Sequence, residues 1–118
     1  MKIEYLKENN VDIEKSLELL GDIETYNEIL DEFYNEINNR MERLNTAKEN
    51  DDVENYTIDV HALKSDAKYL GFNHLASIAL EHQEKGEKKD IEYIKNHYEE
   101  LKQEVDKIIN IIKKYKEE

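Results

Sequence analysis

His61, Lys64, Ser65 and Lys68 follow one another at offsets of three, four and seven residues from the histidine, a spacing that gathers them on neighbouring turns of a helix. Val53, Tyr56, Val60, Leu63, Ala67 and Leu70 recur in the same segment every three or four positions and mark its buried side. At ~100° per residue, His61, Ser65 and Lys68 point well away from that stripe, with Lys64 between them and the core. Imidazole offers a neutral nitrogen nucleophile near neutral pH, its unperturbed pKa being about 6.5. Two ammonium groups and a small hydroxyl residue beside it suit the holding of an anion. Phosphoryl transfer asks for such a site, because it needs positioning and charge stabilisation more than elaborate covalent chemistry. An exposed ammonium–phosphate pair contributes on the order of 1 kcal/mol or less, enough to tune the lifetime of a captured group but not to create reactivity.

Charge makes this segment stand out. The 118 residues carry 29 acidic and 17 basic side chains, a net charge of −12. Between Val60 and Asn73, however, the charged residues are Lys64, Asp66 and Lys68, with Asp66 turned to the other flank. A locally cationic imidazole site in so acidic a chain is best explained by an anion held there. The overall charge repels phosphate backbones and anionic headgroups, so neither nucleic acid nor membrane is an expected partner. The chain has no Cys, which excludes disulfides and thiolate metal sites and fits a reducing, cytoplasmic location. The acidic start Met1-Lys2-Ile3-Glu4 lacks the apolar run of a signal peptide, and Ile108-Ile109-Asn110-Ile111-Ile112 is too short to span a bilayer.

The elements that must carry the site read as helices. Pro is absent and Gly occurs three times, too few breakers for an all-β chain. Four main helices are expected at about 22–47, 52–70, 73–85 and 90–116. The first has the stripe Ile23, Tyr26, Leu30, Phe33, Ile37, Met41 and Leu44, with Lys48 to Asp52 as a loop. The second is the His61 helix, stopped by Gly71. The third presents Leu75, Ile78, Ala79 and His82, and Gly86 is read as its end. The fourth carries an unbroken seam from Ile91 through Ile94, Tyr98, Leu101, Val105, Ile108 and Ile112 to Tyr115, with Asp90 as its N-cap. Ile13, Leu17 and Leu20 suggest a short amphipathic helix before Gly21, and Ile3 and Leu6 a further one. The expected fold is all-α: an antiparallel four-helix bundle with one or two short N-terminal helices, a single domain over 1–118.

The run His61-Ala62-Leu63-Lys64-Ser65, continuing through Asp66-Ala67-Lys68-Tyr69-Leu70-Gly71, resembles the signature of histidine-containing phosphotransfer (HPt) domains. Gly21-Asp22, Leu75-Ala76 and the chain length extend the resemblance, and family members are antiparallel four-helix bundles. The resemblance implies that His61 accepts the phosphoryl group on Nε2 and that Lys64 pairs with it. Ser65 stands where the family most often has Gly and stays small enough for a partner to approach. Gln83 matches a glutamine that bonds the imidazole Nδ1, and Lys68 is a further supporting residue. A basic residue sometimes found one turn beyond that glutamine is not matched, since Glu87 stands there.

On this reading the chain is a phosphocarrier of a two-component phosphorelay and not an enzyme. Its partners are response-regulator receiver domains, with a hybrid sensor histidine kinase as a further candidate. It needs no cofactor of its own, the magnesium ion being expected on the receiver. Two rivals stand beside it: a structural or interaction bundle without phosphotransfer, and the phosphoacceptor domain of a chemotaxis-type histidine kinase. No metal is expected, because His74 and His82 lie eight residues apart on one helix, beyond reach of a shared ion. His82 is expected to top the core stripe, and Tyr26, Tyr56, Tyr98 and Tyr115 to be packing residues.

Overall fold

The computed structural model describes residues 2–117, and among them every regular element is a helix. Two short helices, α1 (Ile3–Glu8) and α2 (Ile13–Leu20), precede four long ones: α3 (Ile23–Glu49), α4 (Val53–Leu70), α5 (Asn73–Glu87) and α6 (Ile91–Glu117). Each long helix packs on the next, and α6 returns to α3, so the four close around one core.

The stripes read from the sequence are the buried faces. On α6, Ile94, Tyr98, Leu101, Val105, Ile108, Ile112 and Tyr115 are buried, joined by Ile111. On α3 the buried set is Tyr26, Leu30, Phe33, Ile37, Leu44 and Ala47. Val60, Leu63, Ala67 and Leu70 of α4 are wholly removed from solvent. Burying one such aliphatic side chain contributes about 1.5–3 kcal/mol, so the rotational setting of each helix is firmly fixed.

Aspartates start α2, α3, α4 and α6. Asp12, Asp22, Asp52 and Asp90 accept hydrogen bonds from the amides of Lys15, Thr25, Asn55 and Tyr93, at 3.3, 2.8, 3.2 and 3.1 Å. Such caps satisfy amides that the first turn leaves free. Gly71 ends α4 in the left-handed conformation at φ 85°. A Cβ there would stand 2.7 Å from the Asp12 carbonyl oxygen, and the Asp12 amide donates to the Gly71 carbonyl at 2.9 Å. The short N-terminal helices are thereby fastened to the α4–α5 turn.

Two boundaries differ from expectation. Lys48 and Glu49 belong to α3 rather than to a loop: Ala47 is buried, and the Lys48 ammonium lies 4.4 Å from the centre of the Tyr98 ring on α6. Gly86 does not end its helix either, for α5 runs to Glu87 and Gly86 is buried inside it. A Cβ on Gly86 would collide with Thr57 Oγ1 of α4. The glycine serves close approach of two helices, not termination.

The core tyrosines do more than pack. The hydroxyl of Tyr26 donates to the Leu70 carbonyl at 2.8 Å, that of Tyr98 to the Met41 carbonyl at 3.3 Å, and that of Tyr115 to Asn27 Oδ1 at 2.8 Å. Each phenol bridges two helices, giving its buried polar tip a partner.

Candidate functional site

His61 lies mid-way along α4 with its imidazole exposed. Its neighbours Val60 and Leu63 are fully buried, so the helix cannot turn the ring inward without uncovering them. From α5, Gln83 places Oε1 3.0 Å from His61 Nδ1. An amide carbonyl oxygen can only accept, so this contact puts the ring proton on Nδ1 and leaves the Nε2 lone pair free. The other end of the same amide donates from Nε2 to Glu87 Oε1 at 3.3 Å.

Contact between α4 and α5 is what makes this reach possible. Gly86 sits one turn beyond Gln83 and lets the backbone of α5 close on Thr57, one turn before His61. The Thr57 hydroxyl is itself held by the Val53 carbonyl at 2.7 Å. Beneath the site, His82 is only 1% exposed, and its Nδ1 lies 2.8 Å from the Tyr56 hydroxyl.

Lys64 is half-buried one turn along α4, a rise of about 4.5 Å, whereas Lys68 is exposed at a rise of about 10 Å. Among the described residues neither forms an ion pair, while Arg40, Arg43, Lys95 and Lys116 all do. Their charges are therefore not already neutralised by a carboxylate. Ser65 is half-buried between them. Asp66 faces α3, where the Arg40 guanidinium lies 3.5 Å away. Burial raises its carboxyl pKa, an effect that Arg40 opposes and Glu32 reinforces.

The surface around His61 is not only polar. Ile58 and Tyr69 are 66% and 50% exposed. At ~100° per residue both fall within a quarter turn of His61 around α4. Neither stood out in the sequence, where the signal available was an apolar residue lying off the core stripe. The remaining histidines have other surroundings. His74 Nδ1 is 3.2 Å from Glu104 Oε1, and His97 stacks on Tyr93 with ring centres 3.9 Å apart. Among the described residues no group of three or more His, Asp and Glu is placed to hold a metal ion.

A family model for the Hpt domain matches residues 28–110, more than two thirds of the chain. The chain belongs to the Hpt domain family. No curated protein and no solved structure matches it. Hpt domains are helical phosphocarriers of two-component systems that interact with receiver domains, and are not enzymes. The matched segment holds His61, Lys64, Ser65, Lys68 and Gln83 together with Glu87, while α1, α2 and the first turn of α3 precede it. Among the described residues of this Hpt domain no helix is long and apolar enough to cross a membrane.

Proposed function

We propose that the chain is a histidine phosphotransfer protein that carries a phosphoryl group on His61 Nε2 between receiver-domain aspartates of a two-component phosphorelay. One observation carries the reading: an exposed imidazole has its Nδ1 engaged by Gln83 Oε1 at 3.0 Å, which leaves the opposite nitrogen to act as nucleophile. In the forward step the Nε2 lone pair attacks the phosphorus of an aspartyl phosphate. The P–N bond forms as the P–O bond to the aspartate breaks, and the carboxylate departs with the electron pair. Nδ1 keeps its proton throughout, and the positive charge gained by the ring sits against the Gln83 carbonyl. The return step reverses this on a second receiver.

Lys64, one turn away and without a carboxylate partner among the described residues, is suited to pair with the phosphoryl oxygens once they arrive. Ser65 leaves room for the approaching receiver, and Lys68 adds positive charge farther along the helix. Ile58 and Tyr69 offer apolar contact on the opposite side of His61 from Lys64. The magnesium ion that such a transfer uses belongs to the receiver, and the shared compartment of these partners is the cytoplasm.

Incubation of wild type and His61→Gln with a phosphorylated receiver tests the proposal. Acid-labile, alkali-stable label on wild type and none on the variant is the expected result. Label on His61→Gln, or none on wild type with any receiver of the same genome, overturns it. Labelling by an isolated kinase domain with ATP, and by no phosphorylated receiver, would instead favour a chemotaxis-type phosphoacceptor.

A further inference from the structure

We infer that Glu87 is a positioning residue for His61, acting through Gln83 to fix which imidazole nitrogen carries the proton. A glutamine amide has two ends of similar shape and opposite hydrogen-bonding character. Rotated by half a turn, Gln83 would present its NH₂ group to His61 Nδ1 and donate to it. The ring proton would then sit on Nε2, and the nitrogen that faces solvent would have no lone pair to offer. The amide alone does not choose between these arrangements.

Glu87 makes the choice. Its Oε1 lies 3.3 Å from Gln83 Nε2. A carboxylate has only acceptor oxygens, so it takes a hydrogen bond from the NH₂ end and repels the carbonyl end. With the NH₂ end held on Glu87, Oε1 is the atom left to face His61, at 3.0 Å. The three residues form one directed chain, Nδ1–H to Oε1 and then Nε2–H to carboxylate. Glu87 is one helical turn from Gln83, so both side chains stand on the same face of α5. Buried Gly86 presses this stretch of α5 onto Thr57 and keeps the chain within reach of α4.

A cation at position 87 would act in the opposite sense. An ammonium only donates, so it would attract the carbonyl end of Gln83 and turn the NH₂ end toward His61. The consequence for transfer rests on the phosphocarrier reading above, but the protonation pattern does not, and it can be read separately. The test compares wild type, Glu87→Lys and Glu87→Gln in the full chain, using ¹⁵N shifts of the His61 imidazole above its titration and the initial rate of labelling by a phosphorylated receiver. Wild type is expected to be mainly Nδ1–H. Glu87→Lys should shift the ring mainly to Nε2–H and slow labelling about tenfold, the low end of the loss seen when the outer partner of a metal-bound histidine is removed. Glu87→Gln, which keeps an acceptor oxygen, should stay within about twofold of wild type on this account. An unchanged ¹⁵N pattern in Glu87→Lys overturns the inference. So does an equal shift in both variants, which would indicate charge alone. Failure of wild type to accept label defeats the phosphocarrier reading and leaves the ¹⁵N comparison to decide the role of Glu87.

Discussion

The Tyr56 hydroxyl lies 2.8 Å from Nδ1 of His82, so the residue beside Gln83 is tied to the helix that bears His61. This buried contact joins α4 and α5 directly below the exposed pair. The same two helices meet again at Thr57 and Gly86. The His61–Gln83 distance thus depends on packing one layer down, and several measurable consequences follow from that dependence.

Stability should fall in mild acid because of His82. Burial lowers its pKa to about 4 from 6.5. Tyr56 faces the ring from α4, Tyr93 and His97 from α6, and Glu81 from its own helix. Between those two values the unfolded chain binds a proton that the folded chain does not. Stability is therefore fully present above 6.5 and is lost as pH falls toward 4. The loss attributable to this ring approaches about 3 kcal/mol. Denaturant unfolding at pH 7 and at about pH 4.5, repeated on His82→Gln, measures it. The variant should lose less than wild type between the two conditions, and an equal loss would exclude His82 as the source.

Gly86→Ala should disturb both fold and site. Its Cβ would meet Thr57 Oγ1, which is held by the Val53 carbonyl. Overpacking of this kind costs about 1–3 kcal/mol. The melting temperature should drop, and label acceptance at His61 should slow as Gln83 is carried away. Adding Thr57→Ala removes the colliding oxygen and should recover part of the loss, so a double-mutant cycle without coupling would refute the contact.

The two lysines should prove unequal. Lys64→Ala should shorten the lifetime of the phosphorylated form by about fivefold, the size of a partly exposed ion pair. Lys68→Ala, a further turn away, should change it less than about twofold. Hydrolysis of isolated phosphoprotein at several salt concentrations checks this, and a larger effect at Lys68 would reverse the assignment.

Tyr26→Phe should weaken the fold and leave transfer alone. It strips the Leu70 carbonyl of a buried donor at 2.8 Å. A cost of about 1–2 kcal/mol is expected, read from the unfolding midpoint, with labelling unchanged at temperatures where the variant is folded.

The helical stripes, the Asp90 cap and Gly71 were legible because each is written within one helix, as a period or a local preference. What escaped lies between helices. Gly86 looks like a terminator along the chain, and only the proximity of Thr57 reveals its use. Lys48 and Glu49 look like loop because their polarity hides the Tyr98 ring that Lys48 covers. The tyrosine stripe showed burial but not the carbonyls and amide that receive the hydroxyls. At the site, His61 and Lys64 share a helix, and their neighbourhood follows from counting residues. Gln83 entered by resemblance, and Glu87 registered only as a mismatch, since its partner is an amide whose orientation no spacing records.

The fastening of Asp12 to Gly71 bears on how far the chain can be trimmed. The family-matched segment begins at residue 28, downstream of that latch. A protein cut to its matched core would lose the backbone bond to Gly71 and bare the turn that joins the histidine-bearing helix to its glutamine-bearing neighbour. A piece that keeps the site in register therefore has to include Asp12 and so starts upstream of it.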